Sequence, residues 1–223
     1  MARLSVLTVS NRPDRLDIIK KCLDKQIFKD FEWLVEDFVD PKKLWSFNEA
    51  SNKGIKKCNG DLIVFIQDSI WFNPDTLAKF NFHFQNNPQA CVSGVGDQYD
   101  QLDENGKPVH KVWLDPRKRA DMGSFYECNP DDWEINFASV PKNLIYEIGG
   151  FDEEMDQHYG MDNVAFALRL KQIGAKFFLD QTNESFSLQH PRRADWDENY
   201  WSNFNFLEWL AKRPVKLDYL AQK

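Results

Sequence analysis

The stretch Asp61–Trp71, DLIVFIQDSIW, decides how the rest of the chain is read. Leu62–Ile66 are five apolar residues in succession. That is too continuous for a strand with one wet face and fits a parallel strand buried on both. The run stops at Gln67-Asp68-Ser69. In open α/β sheets ligands sit beyond the carboxyl ends of such strands. A single carboxylate between an amide and a hydroxyl at that place reads as part of a metal site, or as a turn capping the next helix.

Upstream, LSVLTVS (residues 4–10) is a β-rich run ending at Asn11-Arg12-Pro13. Pro13 opens a helical pattern with Leu16, Ile19 and Leu23 at spacings of three and four. FEWLVEDFV reads as a second strand, carrying Glu36 and Asp37 near its carboxyl end. A helix beginning near Phe47 runs through NEASNKGIKKC and closes at Asn59-Gly60, a C-cap signal. Downstream, Asn73-Pro74-Asp75 opens the helix DTLAKFNFHFQNN, which Pro88 stops. This alternation of strand and helix predicts a nucleotide-binding α/β half over residues 1–95.

Residues 96–135 are rich in Asp, Gly, Pro and Lys, with aromatics interspersed, and predict a long ordered loop or hairpin over a site. Regular structure resumes with NFASVPKNLIYEIGGFDEE. A helix is expected from Asp162 to Ile173, closed by Gly174, then two strands, AKFFLD and ESFSLQH. Residues 1–195 thus read as one domain, with 96–195 its second half. Residues 196–223 read as a C-terminal, aromatic-rich helical extension, with Trp201, Phe204 and Leu207 or Glu208 at helical spacing. Core packing or a homodimer surface is the first expectation for it.

A chain of 223 residues with 42% hydrophobic content can bury a sizeable core. The formal charge of −7 argues against a general electrostatic grip on nucleic acid, despite the clusters Arg117-Lys118-Arg119 and Arg192-Arg193. Cys22, Cys58, Cys91 and Cys128 form no CxxC pair and no zinc spacing. No apolar run approaches the ~20 residues of a membrane span, and MARLSVLTVSNRP lacks the long apolar region of a signal peptide. The expected location is the cytoplasm.

LTVSNRPDRL, WLVEDF and NEASNKGIKKCNGDLIVFIQD, followed by IYEIGGFDEEM, YGMDNVAFALRLKQIG and LQHPRR, together resemble the family 2 glycosyltransferases. The resemblance runs over most of residues 4–191 and rests on the order and spacing of these pieces. It implies a GT-A fold, a Rossmann-like mixed central sheet flanked by helices. It also implies transfer of a sugar from a nucleotide-diphosphate donor, most often a UDP-sugar, with inversion.

The resemblance places Gln67-Asp68-Ser69 where an Asp-x-Asp motif holds the metal that bridges the donor diphosphate. Here only the middle acid is present. Mn²⁺ or Mg²⁺ on Asp68, completed by His190, is the implied arrangement, since hard cations take oxygen ligands and phosphate. Asp162 resembles the catalytic base, with Met161 in place of the usual glutamate beside it. A helix start also favours a carboxylate there, so a capping role is the alternative for Asp162. Thr8, Ser10, Arg12, Asp37, Asn52, Gly54 and Gln67 are implied to line the nucleotide. Trp113, Asp115, Gly150, Asp152 and Met161 are implied on the sugar and acceptor side.

The expected acceptor is a glycan, with a protein side chain or a hydroxymethylated nucleic-acid base as alternatives. A nucleotidyltransferase is disfavoured because SNRPDRL, after the first strand, has no glycine for a phosphate loop. A non-catalytic binding module that kept the fold is the reading from another class. Gln67, Ser69 and Met161 favour it.

Overall fold

The computed structural model describes residues 3–10, 12–37, 46–103, 108–157, 161–188 and 206–221. Among them run β1 (Leu4–Val9), α1 (Pro13–Asp24), β2 (Phe31–Glu36), α2 (Phe47–Lys57), β3 (Leu62–Ile66), β4 (Ile70–Phe72), α3 (Thr76–Asn86) and β5 (Ala90–Tyr99). β6 (Lys111–Trp113), β7 (Phe125–Glu127), β8 (Phe137–Pro141), α4 (Lys142–Glu147), α5 (Asp162–Gln172), β9 (Lys176–Leu188) and α6 (Phe206–Lys212) follow.

The strands form one sheet in the order β2-β1-β3-β8-β5-β9-β4, with β6 added to β5 and β7 to β9. β3 is buried at all five positions because it lies between β1, parallel, and β8, antiparallel. The sheet is therefore mixed, as expected. Alternation along β1 splits the core in two. Leu4 and Val6 face a cluster holding Ile19, Leu23, Leu77 and Phe80 of α1 and α3. Leu7 and Val9 face one holding Phe47 and Ile55 of α2, Leu144 of α4, and Phe166 and Leu170 of α5. Helices on both faces of one sheet give a three-layer α/β fold.

Three expectations are corrected. Ile70–Phe72, given no element between the buried strand and the helix opening at Asn73, is a short strand antiparallel to β9, with Ile70 opposite Ser187. The two expected strands, as far as Leu188, are one strand, β9, because both halves pair with β5. The register jumps from Gly94–Asp180 to Val95–Glu184, so residues 181–183 bulge without ending the strand. Gly60 is no left-handed cap: a Cβ there would lie 2.5 Å from the Arg3 carbonyl oxygen, so the residue is small to let β1 pass.

The C-terminal segment packs on the domain. Leu217 donates its N–H to the Ile148 carbonyl at 2.9 Å, and Leu217 and Leu220 are buried. Leu207 of α6 is 73% exposed. Trp201 and Phe204 lie outside the described residues. Among these residues no helix is long and apolar enough to cross a membrane. All four cysteines are free, and burial pushes the Cys58 thiol up to about 11 and Cys128 up to about 12. They are packing residues with little thiolate character.

Candidate active site

β1, β2, β3, β5 and β9 all run the same way through the sheet, so their carboxyl ends share one edge. Ser10 and Arg12 follow β1, Asp37 follows β2, and Gln67-Asp68-Ser69 follows β3. The turn after β3 is anchored where the Gln67 N–H donates to the Asn136 carbonyl at 2.9 Å.

Asp68 is 8% exposed, and described neighbours engage both of its carboxylate oxygens. The Ser10 hydroxyl donates to Oδ2 at 2.5 Å. Arg12 closes a fork, with Nε donating to Oδ2 at 2.9 Å and Nη2 donating to Oδ1. The Ser69 hydroxyl donates to Oδ1 at 3.4 Å. Ser69 itself sits at φ 65°, the one non-glycine residue with positive φ among those described. Left-handed backbone at a non-glycine position costs on the order of 1–3 kcal/mol and gathers at functional sites. Asp68, Ser10 and Arg12, drawn from two strand ends, are brought together.

Asp162 reaches the same edge from another direction. It is the first residue of α5, with Met161 as the preceding N-cap residue, and both are half-buried. The neighbouring Asn163 accepts from the Ile135 N–H at 2.9 Å and donates to the Trp133 carbonyl at 3.2 Å. Ile135 adjoins Asn136, which receives the Gln67 N–H. A short chain of hydrogen bonds, from the Asn163 side chain to the backbone and on through Asn136, thus ties the helix start carrying Asp162 to the turn carrying Asp68.

Other expected contacts have structural partners instead. Thr8 is fully buried and its hydroxyl accepts from Trp33 Nε1 at 3.1 Å, so it serves the core. Glu36 is buried and ion-paired with Lys57 and, at 3.6 Å, with Lys53; Asp37 beside it is exposed. Asn52 is buried inside a clamp, where Oδ1 accepts from Phe151 N at 2.8 Å and Nδ2 donates to Phe151 O at 2.9 Å. Gly54 is small because a Cβ would collide with Leu7 and Glu36. Gly150 has φ +92°, and a Cβ there would run into Asn52.

Asp152 is taken by Arg213, whose Nε and Nη2 donate at 2.7 Å each, and by the Tyr219 hydroxyl at 3.2 Å. It fastens the C-terminal segment, with both carboxylate oxygens engaged there. Asp115 is likewise buried, accepting from Arg117 and from Gly96 N at 2.8 Å. Burial alone would raise its proton affinity. The Arg117 guanidinium and the backbone donors outweigh that and hold it ionised. Trp113 is 41% exposed on β6. His190 lies outside the described residues.

Sequence reading missed the residues that brace this edge. Asp156 accepts from Asn48 N at 2.7 Å and Glu49 N at 3.1 Å, capping α2 from far along the chain. Buried Arg169 donates to the Ile148 carbonyl at 3.3 Å and to the Gly150 carbonyl, and burial lowers its pKa to about 10. Asp97 pairs with Lys118 at 3.0 Å and with Lys111, holding the β5–β6 hairpin. An Arg seven residues into a predicted helix was the one available local signal.

The chemistry of the donor set suits a hard divalent cation. Asp68 is a buried carboxylate flanked by two serine hydroxyls, and a cationic group, the Arg12 guanidinium, already rests on it. No group of three His, Cys, Asp or Glu residues able to hold a metal occurs among the described residues. One carboxylate with water and donor phosphates is a usual arrangement for such ions.

The architecture is that of the GT-A fold, a mixed central sheet flanked by helices. A solved structure of GalNAc-T7 with UDP, GalNAc and Mn²⁺ superposes with a TM-score of 0.63 at 14% identity, over 86% of this chain and 45% of that one. This chain therefore spans about half the length of that relative. No curated protein sequence matches it. The profile of Glycosyl transferase family 2 matches residues 12–151, and the chain belongs to that family.

Proposed function

We propose that the protein transfers a sugar from a nucleotide-diphosphate donor, a UDP-sugar, to the hydroxyl of an acceptor glycan, with inversion at the anomeric carbon. One observation carries the reading. Asp68 and the helix start bearing Asp162 are tied to one sheet edge through the contacts Gln67–Asn136 and Ile135–Asn163. The GalNAc-T7 structure, which holds UDP, GalNAc and Mn²⁺, supports the donor class by analogy of fold.

Ser10, Arg12 and Asp37 lie where the nucleotide would sit, and Gln67 lines the turn beneath it. A divalent cation at Asp68, with His190 as the second expected ligand, would stabilise charge on the departing diphosphate. Asp162 accepts the proton of the acceptor hydroxyl as that oxygen attacks the anomeric carbon. The bond from that carbon to the phosphate oxygen breaks, and its electron pair leaves with the nucleotide diphosphate. Trp113, exposed on β6, offers an aromatic face for a sugar ring.

The test is calorimetry with UDP, GDP and CDP, each with and without Mn²⁺, followed by UDP release from UDP-sugars. Asp162→Asn should keep UDP affinity within about twofold while losing on the order of 10²-fold in turnover. Affinity without turnover in the parent protein would favour the non-catalytic module, a reading that the neutral residues Gln67 and Ser69 support. Failure to bind any nucleotide removes the transferase reading.

A further inference from the structure

The Arg12–Asp68 pair joins two partners with very different freedom. Asp68 is fixed: its side chain is 7% exposed, and its backbone lies in the tight turn between β3 and β4. The Arg12 side chain is 40% exposed and sits at the N-cap of α1 with φ −120° and ψ 83°, outside the helix. Its side chain makes no described hydrogen bond except to Asp68, through Nε and Nη2. Ser10 needs no rearrangement when the pair opens, since its hydroxyl bonds Asp68 directly at 2.5 Å while accepting the Arg12 backbone N–H at 3.0 Å.

Charge then sets the logic. Closed, the pair is neutral and offers a diphosphate little. With a divalent cation on Asp68 and Arg12 released, the same residues carry a net double positive charge. A guanidinium suits a phosphate as well as it suits a carboxylate.

We propose that Arg12 is a diphosphate-binding residue held in reserve by Asp68, and that a divalent cation arriving with the nucleotide displaces it from that carboxylate. The inference rests on the nucleotide-diphosphate reading of the site. Arg12 competes with the cation when no nucleotide is bound, and cooperates with it once the diphosphate gives the guanidinium a second acceptor. Cation and nucleotide therefore bind with positive coupling, each weak alone.

The test uses Mn²⁺ and UDP on the full chain. Free Mn²⁺ is read by electron paramagnetic resonance and UDP affinity by calorimetry. Arg12→Gln should tighten Mn²⁺ binding without nucleotide by about tenfold. It should weaken UDP binding at saturating Mn²⁺ by about tenfold, the effect of one charge-assisted hydrogen bond. Opposite signs support the exchange. Both affinities moving together, or UDP affinity unchanged, would make the pair merely structural and overturn it. In the parent protein, the Arg12 Nε–H resonance should move when Mg²⁺ and UDP are added together and stay in place with Mg²⁺ alone. A resonance unmoved by both together also overturns the proposal, and this arm stands if the variant fails to fold. UDP binding that ignores the cation defeats the exchange but leaves the transferase reading intact. No UDP binding under any condition defeats both.

Discussion

Asn163 holds Ile135: its Oδ1 accepts the Ile135 N–H at 2.9 Å, while Nδ2 donates to the Trp133 carbonyl at 3.2 Å. One amide side chain at the start of α5 therefore sets where Asp162 stands relative to the strand entering β8. If Asp162 is the base proposed above, Asn163→Ala should lower turnover by about tenfold or more while leaving UDP affinity within about twofold, because misplacing a base costs rate before it costs binding. Asn163→Asp, which keeps the acceptor oxygen, should recover part of the loss. Unchanged turnover in the alanine variant would show that the helix start is positioned by other contacts.

The Asp152–Arg213 pair clamps the C-terminal segment to the domain, with side chains 1% and 17% exposed. Arg213→Ala leaves a buried carboxylate without its guanidinium and should destabilise the fold by about 3 kcal/mol. Asp152→Asn, which keeps a hydrogen-bonding shape, should cost less. Urea denaturation of the two variants compares them directly, and equal losses would count against the charge argument.

Glu32 gives a dependence on acid. Burial pushes its pKa up, but donors from Ser5 and Asn59, with Arg3 nearby, bring it from 4.5 down to about 2. A depressed folded-state value means that the ionised group stabilises the fold above about 4.5. The contribution is lost as pH falls through about 2. The melting-temperature gap between the parent protein and Glu32→Gln should be widest near neutrality and close toward pH 2. A gap constant across that range would rule out ionisation as its source.

Gly174 and Gly150 separate backbone strain from collision. Both have positive φ, +89° and +92°, but a Cβ on Gly174 meets nothing within 4 Å. On Gly150 it would run into Asn52 and lie 2.9 Å from Leu220 Cγ. Gly174→Ala should cost about 1 kcal/mol. Gly150→Ala should cost about 3 kcal/mol or more, through overpacking of a fixed clamp. Thermal melts decide it, and similar losses would mean that the Asn52 clamp gives way freely.

The sheet's centre was legible because an unbroken apolar run such as Leu62–Ile66 has few other homes. β4 was hidden, since Ile70, Trp71 and Phe72 are too few to show a period and run straight into Asn73-Pro74. β9 looked like two strands because the polar residues Gln181, Thr182 and Asn183 interrupt its apolar pattern. Only the continuing partner β5 reveals a bulge. At the candidate site, Asp68 was legible from its place at the end of a buried strand. The structural partners of Asp152 and Asn52 were not legible, because they lie 61 and 99 residues away. A local pattern can mark a polar residue as unusual without saying what it holds.

Ser69, at φ 65°, bears on how this chain relates to sequences with acids on both sides of the turn. Left-handed backbone is tolerated best, after glycine, by asparagine and aspartate. The loop is therefore already shaped for a carboxylate at position 69. Putting one there would require no rebuilding of the turn, and it would set two negative charges around the single guanidinium of Arg12. The serine at this position is thus a difference in electrostatics rather than in architecture. It leaves one carboxylate balanced by one arginine, a balance that a single residue could retune.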